Sequence, residues 1–423
     1  MAFMRADILL PKFSDDGEKM NKWSVVACDQ YTSEPEYWNA VKTRTKGENT
    51  TLSLTVPEIY LNDADINQRI ENTNAAMKAY MESGVFTEYK HTYIFVERTL
   101  RNGVKRLGIV GAVDLEEYDY TAGSKTKIRA TEGTVVSRIP PRLKVRQNAP
   151  VELPHIMLLI DDAQCDIIES NQNLVDTFEK LYDFDLMQDS GHITGYKLSE
   201  EAANALDEKL LALSDLDAFN QKYGVNESAP LVYAMGDGNH SLATAKTYYE
   251  NLKQEIGEDA AKNSPARYAL CELVNLHDKS LVFEAIHRVV FQADGKAFLE
   301  YLEQQYDVSF DENAMGQTFV FVHDGKEQKV TVTNSKEYLT VATLQKALDA
   351  FVKEQGGEID YIHGEDVVRS LCKDTANFGI LLDAMDKADL YKSVILDGAL
   401  PRKTFSMGDA CDKRFYTEAR KIK

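Results

Sequence analysis

The sequence lacks the motifs by which several common kinds of site are recognised. Its five cysteines lie far apart along the chain, and none of them forms a CxxC pair. This spacing argues against a zinc ribbon and against a disulfide framework, so we expect reduced cysteines. The histidines show no HExxH or HxxxH spacing, and no GxSxG sequence occurs. The chain therefore has no sequence signature of a zinc hydrolase or of a serine hydrolase.

Long apolar runs and positive charge are also scarce. No uncharged apolar run approaches the roughly eighteen residues that a membrane span requires. The apolar stretch within residues 1–13 is too short for a signal peptide and no small-residue cleavage site follows it, so we do not expect one there. Lysine and arginine number 48 against 68 acidic residues, which gives a formal net charge of −20. Nucleic acids and anionic membranes attract a wide positive surface, so neither is an expected partner. We expect a cytoplasmic protein that binds a small molecule, and the sequence leaves its oligomeric state open.

Length and composition are those of an ordinary globular protein. The 423 residues predict two or three domains, and 43% of them are hydrophobic while 27% are charged. The pattern of predicted strands and helices changes near residue 290, which predicts a main domain over 1–290 that carries the functional site. Residues 291–423 are then a C-terminal α/β region that could fold back on that site.

Local patterns predict both hairpins and strand-turn-helix units. Asn102-Gly103 joins two β-branched runs within residues 92–114, and Asp324-Gly325 does the same within 318–333. Residues 199–213 predict a helix that Ser199 caps. Strands and helices also alternate along the chain, so we expect an α/β fold with mixed sheets.

The sequence AMGDGNHSLATAK, residues 234–246, carries the strongest indication of a ligand site. An apolar strand runs into Gly236 and Gly238, where backbone can approach a ligand closely, and a helix follows. The first amides of a helix have no internal partners and attract anions. Asn239, His240 and Ser241 add polar side chains, so the segment predicts a phosphate cradle. The alternative is a tight turn that Asn239 or Ser241 caps without any ligand.

The same turn contains an acidic residue, and it matches neither GxGxxG nor GxxxxGK[ST]. A carboxylate at Asp237 repels phosphate unless it binds a metal ion or takes up a proton. We therefore expect Asp237 to ligate Mg²⁺ or to take part in catalysis.

Basic residues cluster in the window 124–146. It contains Lys125, Lys127, Arg129, Arg138, Arg142, Lys144 and Arg146 against the single acid Glu132. Clustered arginines suit phosphate recognition, although a solvated basic loop is the alternative. The stretch 401–423 is also basic and could face the same site. Cys28, beside Asp29, could be a nucleophile or a small core residue.

Four segments in order resemble the large bacterial and archaeal family called domain of unknown function 1015. MGDGNHSLATAK resembles its DGHHR-x-x-A signature, and WSVVACDQYTSEPEYW resembles its VVAPPYDV segment. IRATEGTVVSRIPPRLKV resembles its RHE-T region, and YALCELVNLHDKSLVFEAIHRVV, which ends in His287-Arg288, resembles its middle stretch. Together they cover most of the chain.

The resemblance has consequences for function. Through the DGHHR turn the family is similar to the ParB/sulfiredoxin-like superfamily, which includes kinases that phosphorylate free serine. This similarity implies a nucleotide-phosphate role for residues 236–240, and it adds His287 and Arg288 to the candidate binding residues. The chain departs from the signature at Asn239, where the family has histidine, and at Ser241, where it has arginine.

Three functions remain in view. The leading hypothesis is a nucleotide-dependent phosphotransferase that acts on a small molecule and uses ATP or ADP with Mg²⁺. In it, the helix amides hold the phosphates together with His240 and with Arg129, Arg138 or Arg142, while Asp29 or Glu132 is the candidate base. The first alternative is a non-catalytic nucleotide or metabolite sensor. The second is an interaction protein whose basic window binds an acidic partner.

Overall fold

A computed structural model describes residues 1–121 and 123–423. The helices in this part of the chain are α1 (Gly17–Trp23), α2 (Pro35–Arg44), α3 (Ile66–Glu82), α4 (Ile139–Gln147), α5 (Glu200–Ala212), α6 (Leu216–Tyr223), α7 (Asn239–Ile256), α8 (Glu258–Lys262), α9 (Gly295–Gln305), α10 (Thr340–Gln355), α11 (Glu365–Leu371) and α12 (Asp389–Leu396). The strands are β1 (Phe3–Met4), β2 (Ala6–Pro11), β3 (Val25–Val26), β4 (Phe86–Thr92), β5 (Ile94–Thr99), β6 (Lys105–Asp114), β7 (Ile128–Arg129), β8 (Val151–Glu152), β9 (Met157–Ile160), β10 (Glu179–Asp185), β11 (His192–Lys197), β12 (Tyr233–Asp237), β13 (Tyr268–Asn275), β14 (Phe283–Ala285), β15 (His287–Phe291), β16 (Val308–Ser309), β17 (Gln317–His323), β18 (Lys326–Val332), β19 (Glu358–Ile362), β20 (Phe378–Leu381), β21 (Phe405–Met407), β22 (Phe415–Tyr416) and β23 (Arg420–Lys421).

The described chain divides into two compact units. The first comprises Met1–Ala130, Thr134–Leu281 and Gly408–Lys423, and the second comprises Thr131–Gly133 and Val282–Met407. The sequence placed a boundary near 290, whereas β15 already pairs with β19 and β20 of the second unit. The last sixteen residues belong to the first unit, because β22 pairs with β3 and β23 pairs with β8.

A mixed sheet is the centre of the first unit. Its strand order is β10-β11-β5-β6-β13-β9-β12-β7, and β1 adds to β6. The pairs β12 with β7 and β13 with β9 are parallel, while β5 with β6 and β12 with β9 are antiparallel. This arrangement confirms the predicted α/β fold with mixed sheets.

Both faces of this sheet are buried, as the side-chain alternation of its strands requires. Phe95 and Ile109 pack into one hydrophobic core, while their neighbours Val96 and Val110 pack into the core on the other face. The sheet is therefore covered on both faces, and the carboxyl end of β12 lies at the edge where antiparallel β9 begins.

The local predictions with strong turn or capping signals are confirmed. β5 and β6 form the hairpin around Asn102-Gly103, although only Gly103, at φ 82°, has the positive φ that the dipeptide predicted. β17 and β18 form the hairpin around Asp324-Gly325, where both residues have positive φ. Ser199 caps α5 by accepting a hydrogen bond from the backbone N–H of Ala202.

The second unit has its own sheet and its own core. The strand order is β16-β18-β17-β20-β15-β19, and β14 pairs separately with β21. Phe298 of α9 and Phe351 of α10 pack with Phe321 and Phe378 of the sheet. Across the described residues of both units, no helix combines the length and the hydropathy that crossing a bilayer requires.

Candidate functional site

The turn between β12 and α7 leaves the start of an eighteen-residue helix open. Gly238 occupies the N-cap position at φ 80° and ψ 25°, and no described side chain caps the helix. The first helical hydrogen bond runs from the Leu242 N–H to the Gly238 carbonyl at 3.0 Å. The N–H groups of residues 239–241 precede that bond, so they remain available to an anion. The predicted alternative, a cap from Asn239 or Ser241, is not what the structure shows.

Gly238 is required at this turn by conformation and by space. Its φ lies in the left-handed region, which residues with a Cβ rarely adopt. A Cβ there would lie 3.0 Å from Ile156 Cα, which is tighter than ordinary contact. Backbone from the entry to β9 therefore packs directly against the turn. The close packing fixes where the open helix end points.

Asn239 carries a polar atom that nothing in the described chain satisfies. Its side-chain Oδ1 is buried and has no hydrogen-bond partner. A buried acceptor without a donor is costly, so such atoms are normally satisfied by water or by a ligand. The atom belongs to the first residue of α7, immediately beside the open amides.

Asp237 is held on both of its oxygens. Its Oδ1 accepts a hydrogen bond from the Gly238 N–H at 2.9 Å, and its Oδ2 lies 3.4 Å from Lys413 Nζ. Lys413 comes from the C-terminal stretch that returns to the first unit. The lysine supplies the positive charge that lets a carboxylate stand beside an anion site.

Asp29 and His155 form an ion pair near the same turn. Asp29 Oδ2 lies 3.3 Å from His155 Nε2, and Gln30 donates a hydrogen bond to Oδ1 at 3.0 Å. Burial alone would raise the pKa of Asp29, but the charge and hydrogen bond of His155 hold it well below its ordinary range. Burial alone would lower the pKa of His155, but Asp29 raises it above its ordinary value. The pair therefore favours carboxylate and imidazolium together.

The other contacts of His155 fix its ring. Its Nδ1 lies 2.9 Å from the Tyr416 hydroxyl, which also accepts a hydrogen bond from the Cys28 N–H at 3.1 Å. Burial raises the pKa of Tyr416, so the phenol stays protonated. On its other side, His155 Nε2 lies 3.4 Å from Ser241 Oγ. The imidazole thus connects Asp29 with the first turn of α7.

His240 is neutral in the ligand-free site. Burial lowers its pKa to about 4, with further contributions from the charges of Arg142 and Arg138. Its Nε2 accepts a hydrogen bond from the Val135 N–H at 3.3 Å, which also requires an unprotonated nitrogen. His240 therefore contributes no positive charge in the ligand-free site. A bound anion would oppose the charges of Arg142 and Arg138 and so favour protonation of His240.

The basic window is largely neutralised by ion pairs. Four of its side chains pair with acids outside the window: Lys125 with Glu227, Lys127 with Glu117, Arg142 with Glu58, and Arg146 with Glu152. Arg138 is exposed and has no such pair among the described residues. Because its charge also acts on His240, it is the arginine of the window best placed to meet a ligand phosphate.

A cavity of about 150 Å³ opens beside the ion pair. Its wall is mostly apolar and includes Leu54, Val56, Met77, Val145, Val151 and Leu153. Its polar groups include Cys28, Glu58, Arg142, Arg146, Glu152, His155, Ser241, Thr244 and Tyr416. A small organic molecule seated there would therefore touch His155 and the first turn of α7 together.

Some of the predicted site residues are grouped around His155, and others are not. Asp29, Asp237, His240 and Ser241 lie around His155 in the first unit: Ser241 and Asp29 contact it, Asp237 acts on its charge, and His240 responds to the charge of Asp29.

Four of the predicted residues are not among this group. Arg129 is buried and donates to the carbonyls of Thr126 and Ala229, so it braces the backbone. Glu132, His287 and Arg288 belong to the second unit and are not part of the site that the first unit forms by itself. Arg288 is fully buried, with its donors on Gln345 and on backbone carbonyls, and His287 Nδ1 accepts from the Leu382 N–H.

Cys28 behaves as a core residue rather than a nucleophile. Burial raises the pKa of its thiol to about 12, with further contributions from the charges of Asp29 and Glu58. A thiol with that pKa supplies almost no thiolate at neutral pH.

The family comparison agrees with the motifs. A sequence model of the family described as Protein of unknown function (DUF1015) matches residues 14–351. The chain belongs to this family. The match covers β3, the turn before α7 and the basic window, so the prediction of a DUF1015 member from four segments is confirmed.

Solved structures add distant resemblances. A conserved hypothetical protein from Pyrococcus furiosus shares 10% identity, covers 74% of this chain and 94% of its own, and has a TM-score of 0.36. A free serine kinase in complex with AMP shares 12% identity over 74% of this chain and 90% of its own, with a TM-score of 0.39. C-terminally truncated SbnI from Staphylococcus aureus shares 8% identity over 74% and 81%, with a TM-score of 0.35. The comparison with curated proteins returns no match.

Sequence reasoning missed three members of the site. His155 follows Pro154 at the entry to a buried strand and has no partner histidine at ligand spacing, so no motif marks it. Lys413 and Tyr416 lie in the basic C-terminal stretch, whose charge was the only local signal for them. All three residues reach the site through tertiary pairing.

Proposed function

We propose that this DUF1015 protein is a nucleotide-dependent phosphotransferase whose acceptor is a small hydroxyl-bearing molecule. The observation that carries the proposal is the combination of an uncapped helix N-terminus with a carboxylate–imidazolium pair within contact of its first turn. An open helix end binds phosphate, and an adjacent proton carrier serves the acceptor hydroxyl. The same site thus offers both functions that phosphoryl transfer needs.

The phosphates of ATP or ADP fit the start of α7. The N–H groups of residues 239–241 would bind them, and Asn239 and Arg138 lie at the same end. Ser241 replaces the arginine of the family signature, so Arg138 and Arg142 would supply the positive charge instead. Phosphoryl transfer depends chiefly on such positioning and charge neutralisation.

A magnesium ion also fits the donor set. Mg²⁺ in nucleotide sites is usually held by one or two carboxylates, phosphate oxygens and water. Asp237 and Asp29 both act on the charge of His155, and each already has partners, so an ion bound here would take the place of Lys413 on Asp237. When bound, the ion would neutralise charge on the transferred phosphoryl group.

The acid-base roles follow from the two pKa directions. A general base works best with a pKa near the operating pH, whereas the pKa of Asp29 is held far below it. His155 has a raised pKa and is the better proton carrier of the two. In its neutral form, which becomes populated as the pH rises through that raised pKa, His155 would accept the proton of the acceptor hydroxyl, and Asp29 would orient the ring instead of acting as the base.

The cavity limits the size of the acceptor. A dry protein cavity of roughly 150 Å³ holds a molecule about the size of benzene. The cavity beside His155 has that volume and a mostly apolar wall, so it suits a compact molecule with an apolar part and excludes a whole nucleotide. The acceptor would be small, and the nucleoside would lie outside the cavity.

The test is an assay for transfer. The full chain with Mg²⁺ and ATP or ADP is incubated with a panel of small alcohols and free amino acids, and new phosphate esters are detected by ³¹P NMR. We expect one ester to accumulate and His155→Gln to abolish it without loss of fold. No ester from any acceptor, with nucleotide bound, would contradict the transferase proposal.

Two observations favour a second candidate, a nucleotide sensor. Arg142 is already paired with Glu58, and Ser241 stands where the family signature has arginine. The site therefore has less positive charge to stabilise a transition state than the family signature would supply. Saturable nucleotide binding without turnover would support the sensor. No nucleotide binding at all would contradict both proposals.

A further inference from the structure

Two arginines lie side by side in the interior of the first unit. Arg98 on β5 and Arg106 on β6 are directly opposite each other across the antiparallel ladder. Arg98 is 3% exposed and Arg106 is 5% exposed. Neither forms an ion pair with an acid anywhere in the described residues. Burying two like charges next to each other is unfavourable unless something compensates them.

The guanidinium groups are only partly satisfied. Arg98 Nη2 donates to the Cys411 carbonyl at 2.9 Å, and Arg106 Nη1 donates to the Asp412 carbonyl at 3.0 Å. Arg98 Nε and Nη1 and Arg106 Nε are buried and have no hydrogen-bond partner among the described residues. The two neighbouring guanidinium groups therefore have three buried nitrogen donors without a hydrogen-bond acceptor among the described residues.

The neighbouring groups supply only part of that compensation. The ring of Phe415 covers one face of Arg98, with its centroid 5.2 Å from the guanidinium carbon. Glu272, whose charge acts on Arg98, is paired through Oε2 with Arg414, while its Oε1 is buried without a hydrogen-bond partner among the described residues. Burial and the charge of Arg106 lower the pKa of Arg98 to about 9, although Asp412 and Glu272 oppose the shift. The cationic form of Arg98 is thus destabilised as the site stands.

We propose that Arg98 and Arg106 form a second anion-binding site, separate from the start of α7, that takes a small oxyanion. Two planar guanidiniums with free donors suit the paired oxygens of a carboxylate, a phosphate or a sulfate. The ligand would lie beneath the segment 408–412, whose carbonyls already occupy one donor on each arginine. That segment leads directly into Lys413 and Tyr416, so the anion would also stabilise the return of the C-terminal stretch to the first unit.

The site is tested by thermal unfolding of the full chain in phosphate, sulfate or acetate, each matched in ionic strength with chloride. A ligand that binds only the folded protein raises the melting temperature in proportion to the logarithm of its concentration. We expect such a rise in the wild type. Stabilisation by acetate as well as phosphate would identify a carboxylate-compatible site, and stabilisation by phosphate and sulfate alone would identify a tetrahedral oxyanion.

Matched variants separate this site from the start of α7. Arg98→Met and Arg106→Met should each weaken the anion response by about fivefold or more in midpoint concentration. Arg44→Met, which removes an exposed arginine at the end of α2, should retain it. Without added anion, Arg98→Met should not lower the melting temperature, since it removes an uncompensated buried charge.

Arg98→Lys provides the measurement if either methionine variant fails to fold. It keeps the positive charge but loses the planar donors, so it should also lose the anion response. A wild type that responds equally to chloride and to the oxyanions would overturn the proposal. So would an undiminished response in the Arg98 and Arg106 variants.

Discussion

Asp29 Oδ2 lies 3.3 Å from His155 Nε2, and this contact joins two segments that are more than a hundred residues apart in sequence. Each residue moves the pKa of the other toward the charged form. The imidazole also contacts Ser241 in the first turn of α7, so the ion pair and the open helix end form one site.

Replacing Asp29 by Asn should lower stability in a pH-dependent way. The raised pKa of His155 means that its stabilisation is complete below the ordinary value of 6.5 and is lost as the pH rises through the folded-state pKa. The lowered pKa of Asp29 means that its contribution is present above its ordinary value of 3.8 and is lost as the pH falls through the folded-state pKa. In urea unfolding, the free energy of unfolding of the variant should therefore fall furthest below that of the wild type, by about 2 kcal/mol, at a pH between 3.8 and 6.5.

The control is Asp63→Asn, which breaks a more exposed pair with Arg69 and should cost well under about 1 kcal/mol. A loss in Asp29→Asn that is the same at pH 5.5 and pH 9 would show that the variant acts through packing rather than through the ion pair.

Gly238→Ala should destabilise the protein and weaken phosphate binding. The left-handed φ of 80° and the 3.0 Å approach of a Cβ to Ile156 Cα combine to cost about 2 kcal/mol or more. Gly224→Ala is the matched control, because φ is 66° and nothing lies within 4 Å of its Cβ. Chemical denaturation should show the larger loss at Gly238. Equal losses would mean that crowding by Ile156 has no consequence.

Nucleotide binding should take up a proton at His240. Its pKa is lowered to about 4 by burial, Arg142 and Arg138, and a bound phosphate would raise it by opposing the two arginines. Affinity should therefore strengthen as the pH falls from 7 toward 5. Calorimetry in buffers of different ionisation enthalpy measures the proton uptake, and His240→Gln should remove it. A pH-independent affinity in the wild type would contradict this role.

Filling the cavity should affect the acceptor but not the nucleotide. Val145 lines the cavity from α4, so Val145→Phe should raise the KM for the acceptor by about tenfold or more. Nucleotide affinity should stay within about twofold, because the position proposed for the nucleoside lies outside the cavity. Val136→Phe, at a position that is 66% exposed, is the control. Equal loss of nucleotide and acceptor binding would contradict the assignment of the cavity.

Local signals in the sequence were sufficient for the elements with strong turn or capping residues, but not for α4 within the basic window, and tertiary pairing determined the site. Gly236 to Ser241 predicted the strand, the turn and the helix, because glycine conformation and helix termini are local properties. The ion pairs of the basic window were not predictable, since Glu227 lies about a hundred residues from Lys125. Tyr416 reaches His155 because β22 pairs with β3 at the other end of the chain, a contact with no periodic or motif signal.

The central claim is that the start of α7 binds nucleotide phosphate, and a calorimetric titration of the full chain with ADP and Mg²⁺ tests it most directly. The account predicts saturable binding with a Kd below about 1 mM, and it predicts that Arg138→Ala weakens binding by about fivefold, or about 1 kcal/mol. Absence of binding at that concentration, or an affinity that Arg138→Ala and Gly238→Ala leave unchanged, would contradict it.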